Sequence, residues 1–510
     1  MENRKRFFYN GIMLTAVGIA MRTVALFFNA FVTQKIGAEG MGLYTIVMTV
    51  YGFAVTFATS GISLTVTRLV ASAVGEGRAE ETRAVLFGAI LYSLAFSLIA
   101  TLVLFFGASF IAGGILGDTR AVNALRILAP SLIPLSLVAV FSGYFVGVRR
   151  VACNAVTQVL GQIFKITATV WLVIRAMPMT VERAALSLSL GTTVTEILAF
   201  FVIFIEFLID RRRAVGKEKS GADVRSVASM AVPLGISAYI RQALLTVEHI
   251  LIPKRLRARG DTLSESLSAY GTLHGMALPM ILYPMVTLSS FAGLLVPEFA
   301  ERSASGDNDG MRRIASRAFG VTLIYATLAS SVLYVFSEEL GYVIYNSASA
   351  GKFIAVLAPV IPIMYLDHVT DSVLKGIGEH VYSMWVNITD SLLSVALVWI
   401  LIPKMGIMGY AVCIIAMEAY NFILSAVRLM KRIKFKISLK QTLLLPLISA
   451  SVSALFVKEL FISAGRETSA LWLILEIIFS VCVFAGVYRI SIALDSFLKF
   501  KKYKSKICNQ

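Results

Sequence analysis

The chain contains 510 residues, of which 57% are hydrophobic and 15% are charged, and its mean hydropathy is +0.80. Soluble proteins average about 45–50% apolar and about 25% charged residues, so this composition excludes a soluble enzyme of two or three domains. The formal net charge is +17, which in an apolar chain indicates Lys and Arg gathered in cytoplasmic loops and no nucleic-acid partner. Four His and four Cys, without metal-ligand spacing, indicate no metal and no cofactor.

Apolar runs bounded by charges, Gly or Pro predict about fourteen membrane-spanning helices, the first of them retained rather than cleaved as a signal peptide. The predicted limits are 8–34, 41–66, 84–106, 122–148, 154–174, 184–209, 226–252, 267–296, 318–336, 353–374, 381–402, 407–427, 441–463 and 470–490. The expected fold is therefore an all-α polytopic membrane protein. No Walker A sequence or nucleophile motif occurs, so we expect no enzyme.

The positive charges predict the orientation of the chain. With both termini in the cytoplasm, the inner segments carry 30 Lys and Arg and the outer segments carry 11, as the positive-inside rule requires. One outer loop disagrees with this pattern, because it contains Lys254, Arg255, Arg257 and Arg259. Either the rule is broken there, or these cations have a role at the outer face.

Two matches along the chain predict an internal repeat. Leu128-Ala129-Pro130 recurs as Leu357-Ala358-Pro359 at an offset of 229, and a weaker match at an offset of 219 pairs Arg22 with Arg241. Six predicted spans separate the copies, and an even number gives parallel repeats with a substrate site between two lobes. The predicted domains are an N-terminal six-helix lobe (1–210), a cytoplasmic linker (211–225), a C-terminal six-helix lobe (226–430), helices 13 and 14 (431–490) and a basic cytoplasmic tail (491–510).

Basic residues inside the predicted spans are candidates for substrate binding, because a charge at mid-bilayer costs about 2.5–3.5 kcal/mol on insertion scales. Arg22 and Arg241 should lie at similar depths, and a guanidinium suits bidentate pairing with phosphate. The alternative is a structural counter-ion, such as Arg241 for Glu248. Arg68 could bind phosphate or extend to the interface. The remaining candidates are Lys165, on a polar face that indicates a cavity or a helix contact, and His274.

Acidic residues inside the spans are candidates for ion coupling. Asp367 and Asp371 lie four residues apart, hence on one helix face, and with Glu248 they could bind Na⁺ or carry a proton. They could equally offset the arginines. Asn387, Asp390, Glu418 and Asn421 are expected to form hydrogen bonds between helices. No role is assigned to Glu196 or Glu476.

Short motifs along almost the whole chain resemble, in order, those of a known membrane family. They are Ile36-Gly37-Ala38-Glu39-Gly40-Met41-Gly42-Leu43-Tyr44, Thr59-Ser60-Gly61-Ile62-Ser63, Tyr270-Gly271, Leu295-Val296-Pro297, Met364-Tyr365-Leu366-Asp367 and Leu374-Lys375-Gly376. The chain resembles the polysaccharide and lipid-linked oligosaccharide flippases, most of all the stage V sporulation protein B branch of the multidrug/oligosaccharidyl-lipid/polysaccharide exporter superfamily. Ser63 stands where that family usually has proline.

The resemblance implies a fold shared with multidrug exporters and lipid II flippases, and an alternating-access cycle in the bacterial cytoplasmic membrane. It implies an undecaprenyl-pyrophosphate-linked sugar as substrate, such as a peptidoglycan or polysaccharide precursor for cell-wall or spore-cortex synthesis. The implied partners are this lipid-linked oligosaccharide, membrane lipid, Na⁺ or H⁺, and cell-wall synthesis enzymes. Arg22 matches the first cavity arginine of the related lipid II flippases, whereas their second falls at Phe28. Spans 13 and 14 are expected to form a groove for the lipid tail.

Two other functions remain open on the sequence. A cation-coupled multidrug exporter of the same superfamily would favour carboxylates and aromatic residues in its cavity, and an arginine in the middle of span 1 argues against it. A membrane scaffold that transports nothing would have no reason to retain charges in the bilayer.

Overall fold

The computed structural model describes residues 2–59, 61–76, 81–176, 180–214, 223–465 and 469–508. These ranges contain helices and turns and no β-strand, which confirms the all-α prediction. The helices are α1 Glu2–Thr59, α2 Ile62–Gly75, α3 Glu81–Phe110, α4 Ala121–Leu128, α5 Leu132–Gly147, α6 Val151–Arg175, α7 Val181–Ala214, α8 Val224–Arg259, α9 Leu263–Gly271, α10 Leu278–Leu282, α11 Met285–Ser305, α12 Asn308–Val335, α13 Ser337–Tyr345, α14 Ala348–Leu357, α15 Ile361–Gly376, α16 His380–Met405, α17 Ile407–Arg432, α18 Leu445–Ser463 and α19 Ala470–Cys508.

Most of these helices are long and apolar enough to cross a membrane. The described residues contain twelve such segments, or thirteen if the bent pair Leu263–Leu282 and Met285–Ser305 is one span. The first segment, Ala20–Gly75, has 56 residues, although one crossing needs only about 20, and its helix is broken at Gly37 (φ 74°, ψ 176°). The chain is therefore a multi-pass membrane protein, while the total of fourteen spans stays a prediction.

The internal repeat is visible in the backbone at the offset of 229. Helices α5 and α15 begin and end at equivalent positions, and each follows a 3₁₀ turn, Ala129–Ser131 in the first copy and Ala358–Val360 in the second. Each turn contains the proline of the Leu-Ala-Pro motif, which lacks an N–H group and so cannot continue a regular helix. The motif therefore marks the same break in both copies.

Side-chain contacts repeat at the same offset. The Thr101 hydroxyl donates to the carbonyl of Ala129 at 3.0 Å, and the Ser330 hydroxyl donates to the carbonyl of Ala358 at 2.8 Å. Beyond α5 and α15 the chain turns through left-handed residues, Arg149 (φ 62°) and Gly378 (φ 86°). The two copies therefore share backbone, hydrogen bonds and turns.

Each copy also has an ion pair at the residue after this turn, and the two pairs carry opposite charges. In the first copy Arg150 pairs with Asp210 of α7. In the second copy the equivalent residue is Glu379, which pairs with Arg428 at 2.8 Å and Arg432 at 2.5 Å, both on α17. We call these pairs the end clamps. The first end clamp joins the turn before α6 to the end of α7, and the second joins the turn before α16 to the end of α17.

The second end clamp makes stability depend on pH. The Arg428 guanidinium, hydrogen-bonded to the carboxylate, holds the pKa of Glu379 below its usual value, with Arg432 adding to the effect. A depressed pKa in the folded state stabilises the fold above the unfolded pKa of about 4.3, and this contribution is lost as pH falls through the folded pKa. We expect acidification below about pH 4.3 to lower the thermal midpoint of the wild type more than that of Glu379→Gln. Equal losses in the two proteins would contradict this assignment.

Contacts group the chain into two compact units, and the unit boundaries do not follow the predicted lobes. Unit 1 comprises Met1–Gly271 and Val395–Ile407, and unit 2 comprises Thr272–Ser394 and Met408–Gln510. In unit 1, α1 packs on α7, α8 and α9, and α2 packs on α5; in unit 2, α12 packs on α15 and α18. The lobe boundaries rest on the repeat and stay a prediction. Of the predicted linker, residues 215–222 lie outside the described residues, as do the last two of the predicted tail.

A close crossing of two helices within unit 1 also follows the repeat. A Cβ atom on Gly42 of α1 would overlap the carbonyl oxygen of Leu267, and one on Gly271 of α9 would overlap the carbonyl oxygen of Ala38. These contacts are reciprocal, because Gly42 and Gly271 lie 229 residues apart and so do Ala38 and Leu267. Only glycine allows backbones to approach this closely. We call this contact the glycine crossing.

The four basic residues predicted for an outer loop, Lys254, Arg255, Arg257 and Arg259, instead belong to the last turns of α8, in unit 1. Arg257 donates to the carbonyls of Gly117 at 3.1 Å and Leu116 at 3.2 Å, where the helical run after α3 ends. Arg255 donates to the Trp399 carbonyl at 3.1 Å and lies 3.8 Å from the centroid of that ring. Arg257 thereby stabilises carbonyls that the end of a helical run leaves without partners. These contacts give Arg255 and Arg257 structural partners within unit 1.

Candidate functional site

The three predicted phosphate-binding arginines are exposed in unit 1. Arg22 lies on α1, Arg68 on α2 and Arg241 on α8. None of them forms a salt bridge or hydrogen bond with another residue in the described ranges. The alternative in which Arg241 is the counter-ion of Glu248 is not seen there, since Glu248 is buried and no ion pair joins the two. Three guanidinium groups therefore remain available to a ligand.

Packing explains why Arg241 is exposed. The face of α8 that meets α1 carries Tyr239, whose ring lies 5.6 Å from that of Phe57, and His249, whose Nδ1 lies 3.5 Å from the Thr49 hydroxyl. These contacts leave Arg241 on another side of the helix. Arg22 lies about four helical turns before the break at Gly37, and Arg241 lies about five turns before Gly260, which ends α8. The distances of Arg22 and Arg241 from these two helix breaks therefore differ by about one helical turn.

Lys165 lines a cavity of about 200 Å³ within unit 1. Two segments of α1, on either side of Gly37, form one wall and contribute Asn29 and Tyr44, while α6 contributes Gln162 and Lys165. The predicted polar face of α6 therefore borders a cavity. We call this cavity the lysine pocket. Phe28, at the position where the resemblance places a second arginine, lines it too.

The predicted residue His274 lies in unit 2, in a π-helical turn between α9 and α10. Its ring stacks on Tyr410 of α17 at 5.2 Å between centroids. This stacking fixes the orientation of the imidazole. It also gives His274 a structural role that the sequence did not indicate, while its role in substrate binding stays a prediction.

The two aspartates of α15 have different surroundings. Asp371 forms a salt bridge with Lys375, one turn along the same helix, at 2.5 Å. Asp367 instead lies near Asp390 of α16 and Glu418 of α17, close enough for the carboxylates to interact electrostatically. We call Asp367, Asp390 and Glu418 the carboxyl cluster. Asp390 and Glu418 were expected only as hydrogen-bonding residues, and their joint position depends on packing that the sequence does not show.

Glu248, the third predicted ion-coupling residue, belongs to unit 1 and is 5% exposed. Its neighbour His249 hydrogen-bonds through Nδ1 to the Tyr270 hydroxyl at 2.8 Å. Asp367 and Asp371 belong to unit 2, so the contacts within each unit do not assemble the three predicted acids into one site. Within the described ranges, no three His, Cys, Asp or Glu residues are arranged to hold a metal ion.

Unit 2 contains a large apolar groove of about 760 Å³. Its walls come from α12, α15, α17 and α18, and include Phe319, Leu323, Leu366, Phe422, Ala426, Leu443 and Leu447. Few polar groups reach it, and one of them, the Ser330 hydroxyl, already donates to the carbonyl of Ala358. The resemblance implied that spans 13 and 14 form a groove; α18 lines the observed groove, whereas its lining includes no residue of α19.

Comparison with known proteins is consistent with this architecture. A family described as polysaccharide biosynthesis protein matches residues 7–303, and the MatE family matches residues 264–400. Stage V sporulation protein B of Bacillus subtilis (strain 168) is 25% identical over 446 residues, covering 86% of this chain and 86% of that protein. Lipid II flippase MurJ of the same organism is 21% identical over 447 residues, covering 81% of each chain.

Solved structures share the fold. A structure titled "Lipid II flippase MurJ, inward closed conformation" matches with a TM-score of 0.72 and 15% identity, over 96% of this chain and all of that one. An inward-facing multidrug resistance MATE family transporter matches with a TM-score of 0.65 and 13% identity, over 82% of this chain and 98% of that one. At these identities the likeness concerns the fold alone. Because the family model covers more than half of the sequence, the chain belongs to the polysaccharide biosynthesis protein family, within the superfamily of multidrug, oligosaccharidyl-lipid and polysaccharide exporters.

Proposed function

We propose that the protein is a flippase that moves a lipid-linked, pyrophosphate-bearing sugar across the membrane by alternating access. The observation that carries this proposal is the set of three exposed guanidinium groups, Arg22, Arg68 and Arg241, without partners among the described residues. A charge within a membrane span is costly and is usually retained where it faces a cavity or a ligand. A pyrophosphate supplies oxygen acceptors, and one guanidinium group can form two parallel hydrogen bonds to such oxygens.

The apolar groove supports the lipid part of this substrate. Its volume of about 760 Å³ lies in the range of cavities that bury a ligand of moderate size. Its lining is dominated by Phe, Leu, Ile and Met side chains, which offer an isoprenoid chain dispersion contacts and no charge. We propose that the tail enters this groove while the arginines hold the pyrophosphate.

Filling the groove should slow transport in a way that depends on tail length. We expect Ala426→Trp, inside the groove, to reduce flipping of an undecaprenyl-linked substrate by roughly tenfold, a free-energy change of about 1.4 kcal/mol. A matched substrate with a two-isoprene tail should be affected less than about twofold. Val427→Trp is the control, because Val427 is 48% exposed and does not line the groove. Equal slowing of both substrates, or equal effects of both variants, would contradict the role of the groove.

We propose that the carboxyl cluster couples transport to Na⁺ or H⁺. The Oδ1 atom of Asp367 is buried and has no hydrogen-bond partner among the described residues, and buried carboxylates within spans commonly bind ions or protons. Asp371 is less suited to this role, because Lys375 already neutralises it. Glu248, in unit 1, is a second candidate. Asp367→Asn should therefore reduce the dependence of transport on a cation gradient.

The setting proposed for this activity is the bacterial cytoplasmic membrane, with both termini in the cytoplasm. Support comes from the distribution of Lys and Arg along the sequence and from relatives named for sporulation and for lipid II. We propose a sugar precursor of the cell wall or spore cortex as the substrate. Cell-wall synthesis enzymes that make or use this precursor are the proposed partners.

The direct test uses purified protein in liposomes containing an undecaprenyl-pyrophosphate-linked oligosaccharide. The measurement is the fraction of headgroups that become accessible from the opposite face. Protein-dependent transfer supports the flippase. If no transfer occurs, with and without a membrane potential or Na⁺ gradient, the proposal is wrong for this lipid-linked substrate.

A second candidate function is a cation-coupled multidrug exporter. The carboxyl cluster favours it, because carboxylates attract organic cations, and the MatE match covers residues 264–400. In that case Asp367→Asn should abolish efflux of a cationic dye from proteoliposomes, and substitution of Arg22 or Arg241 should have little effect. For a flippase, by contrast, substitution of Arg22 or Arg241 should reduce transport more than Asp367→Asn does.

A further inference from the structure

We propose that the lysine pocket is a binding site for a carboxylate, and that it selects transported headgroups bearing an acidic sugar or peptide. This inference rests on the proposed flippase function and adds a second subsite to it. The pocket lies between α1, α6 and α7 in unit 1. It is separate from the apolar groove, which is formed by helices of unit 2.

The polar groups of the pocket are mainly hydrogen-bond donors. Lys165 offers three N–H groups and forms no salt bridge with a described residue. Gln162 offers an amide, and so does Asn29, whose Oδ1 already accepts a hydrogen bond from Thr33 at 3.1 Å. The free donors therefore exceed the free acceptors. An anion with several oxygen acceptors is the ligand that satisfies them.

The residues that line the pocket carry one charge, the ammonium of Lys165, which suits a ligand with a single negative charge. Glu196 of α7 interacts electrostatically with Lys165 and offsets part of its charge. Lysine is also a point charge without the planar fork that pairs with phosphate. A carboxylate, with one charge and two oxygens, matches this environment better than a pyrophosphate. The volume of about 200 Å³ accommodates such a group together with some water, since a water molecule occupies about 30 Å³ in the liquid.

The position of the pocket relates it to the proposed pyrophosphate site. Ala25, Asn29 and Val32 line the pocket from one face of α1. Arg22 precedes Ala25 by three residues, so it lies on the same face, one turn away. Along the helix axis, Arg22 and Asn29 are separated by about 10 Å, from a rise of about 1.5 Å per residue. A headgroup with its pyrophosphate at Arg22 would place a carboxylate in the pocket if the two groups are about this far apart.

The test compares two substrates that differ in one group. Wild-type protein and Lys165→Met are assayed in liposomes with undecaprenyl-pyrophosphate-linked glucuronosyl and glucosyl disaccharides. We expect the variant to lose at least tenfold in transport of the acidic substrate and less than twofold for the neutral one. Lys165→Arg, which keeps the charge, should retain more of the acidic transport. Lys352→Met is the control, because Lys352 is an exposed lysine on α14.

The outcomes separate this inference from the proposed function. If the wild type transports both substrates and Lys165→Met affects them equally, the carboxylate site is wrong and the flippase stands. If the wild type transports neither, the flippase fails, and binding of methyl glucuronide against methyl glucoside, measured by saturation-transfer NMR, decides the pocket alone. Glucuronide binding lost in Lys165→Met supports the site, and equal binding in both proteins overturns it. Displacement by equimolar acetate would identify a site for free carboxylates instead of headgroups.

Discussion

Replacement of Arg22 or Arg241 by alanine is expected to reduce transport of a pyrophosphate-linked substrate by roughly 10- to 100-fold, with the protein still folded and inserted. A hydrogen bond to a charged group contributes about 1.5–3 kcal/mol, and every 1.4 kcal/mol corresponds to about tenfold. Because neither side chain forms a hydrogen bond or salt bridge with another described residue, its removal leaves no buried group without a partner. The loss should therefore appear in transport and not in the thermal midpoint.

Matched variants make this result specific. Arg317→Ala is the control, because Arg317 is also exposed, lies near the start of α12 and pairs with no described residue. Arg22→Lys and Arg241→Lys should recover only part of the rate, because lysine cannot form the bidentate contact. Transport at the wild-type rate in both alanine variants would contradict the proposal that Arg22 and Arg241 bind the pyrophosphate.

The second large effect is expected at the glycine crossing. Gly42→Val should destabilise the protein by about 3 kcal/mol or prevent folding, because the new side chain would overlap the backbone of Leu267. A backbone carbonyl held in a helix cannot move aside as a flexible side chain can. Gly271→Val should have the same effect through its overlap with Ala38. The readouts are the yield of monodisperse protein in detergent and its thermal midpoint.

The control for the glycine crossing is Gly293→Ala in α11. A Cβ atom there has no neighbour within 4 Å, and alanine favours a helix over glycine by about 1 kcal/mol. Its stability should therefore be unchanged or slightly raised. A Gly42→Val protein with wild-type stability and wild-type transport would show that the two helices do not need this close approach.

The sequence alone was sufficient for the fold class and for the strongest repeat signal. The Leu-Ala-Pro motif identifies the repeat because proline forces the same backbone break in each copy, at Pro130 and at Pro359. The salt bridge between Asp371 and Lys375 could also have been found, since the two residues lie four apart on one helix. That spacing indicates a partner for Asp371 before any tertiary structure is known.

Other parts of the site depend on packing and could not be predicted. The lysine pocket requires α1, α6 and α7 together, so nothing near Glu196 in the sequence indicates its proximity to Lys165. Asp367 meets Asp390 and Glu418 only because α15, α16 and α17 bring them together. For Arg257, the partners are carbonyls 140 and 141 residues away. Every residue has a main-chain carbonyl, so the sequence does not indicate which of them a side chain contacts.

The reversed charges of the end clamps bear on how a duplicated chain folds correctly. Two copies of one repeat present similar surfaces. During membrane insertion, the turn before α6 could therefore pair with α17, or the turn before α16 with α7. Such an exchange would place Arg150 against Arg428, or Glu379 against Asp210, and like charges repel. Each clamp thus accepts its own partner and rejects that of the other copy. A few charge differences between the two copies are therefore enough to direct each turn to the helix of its own copy.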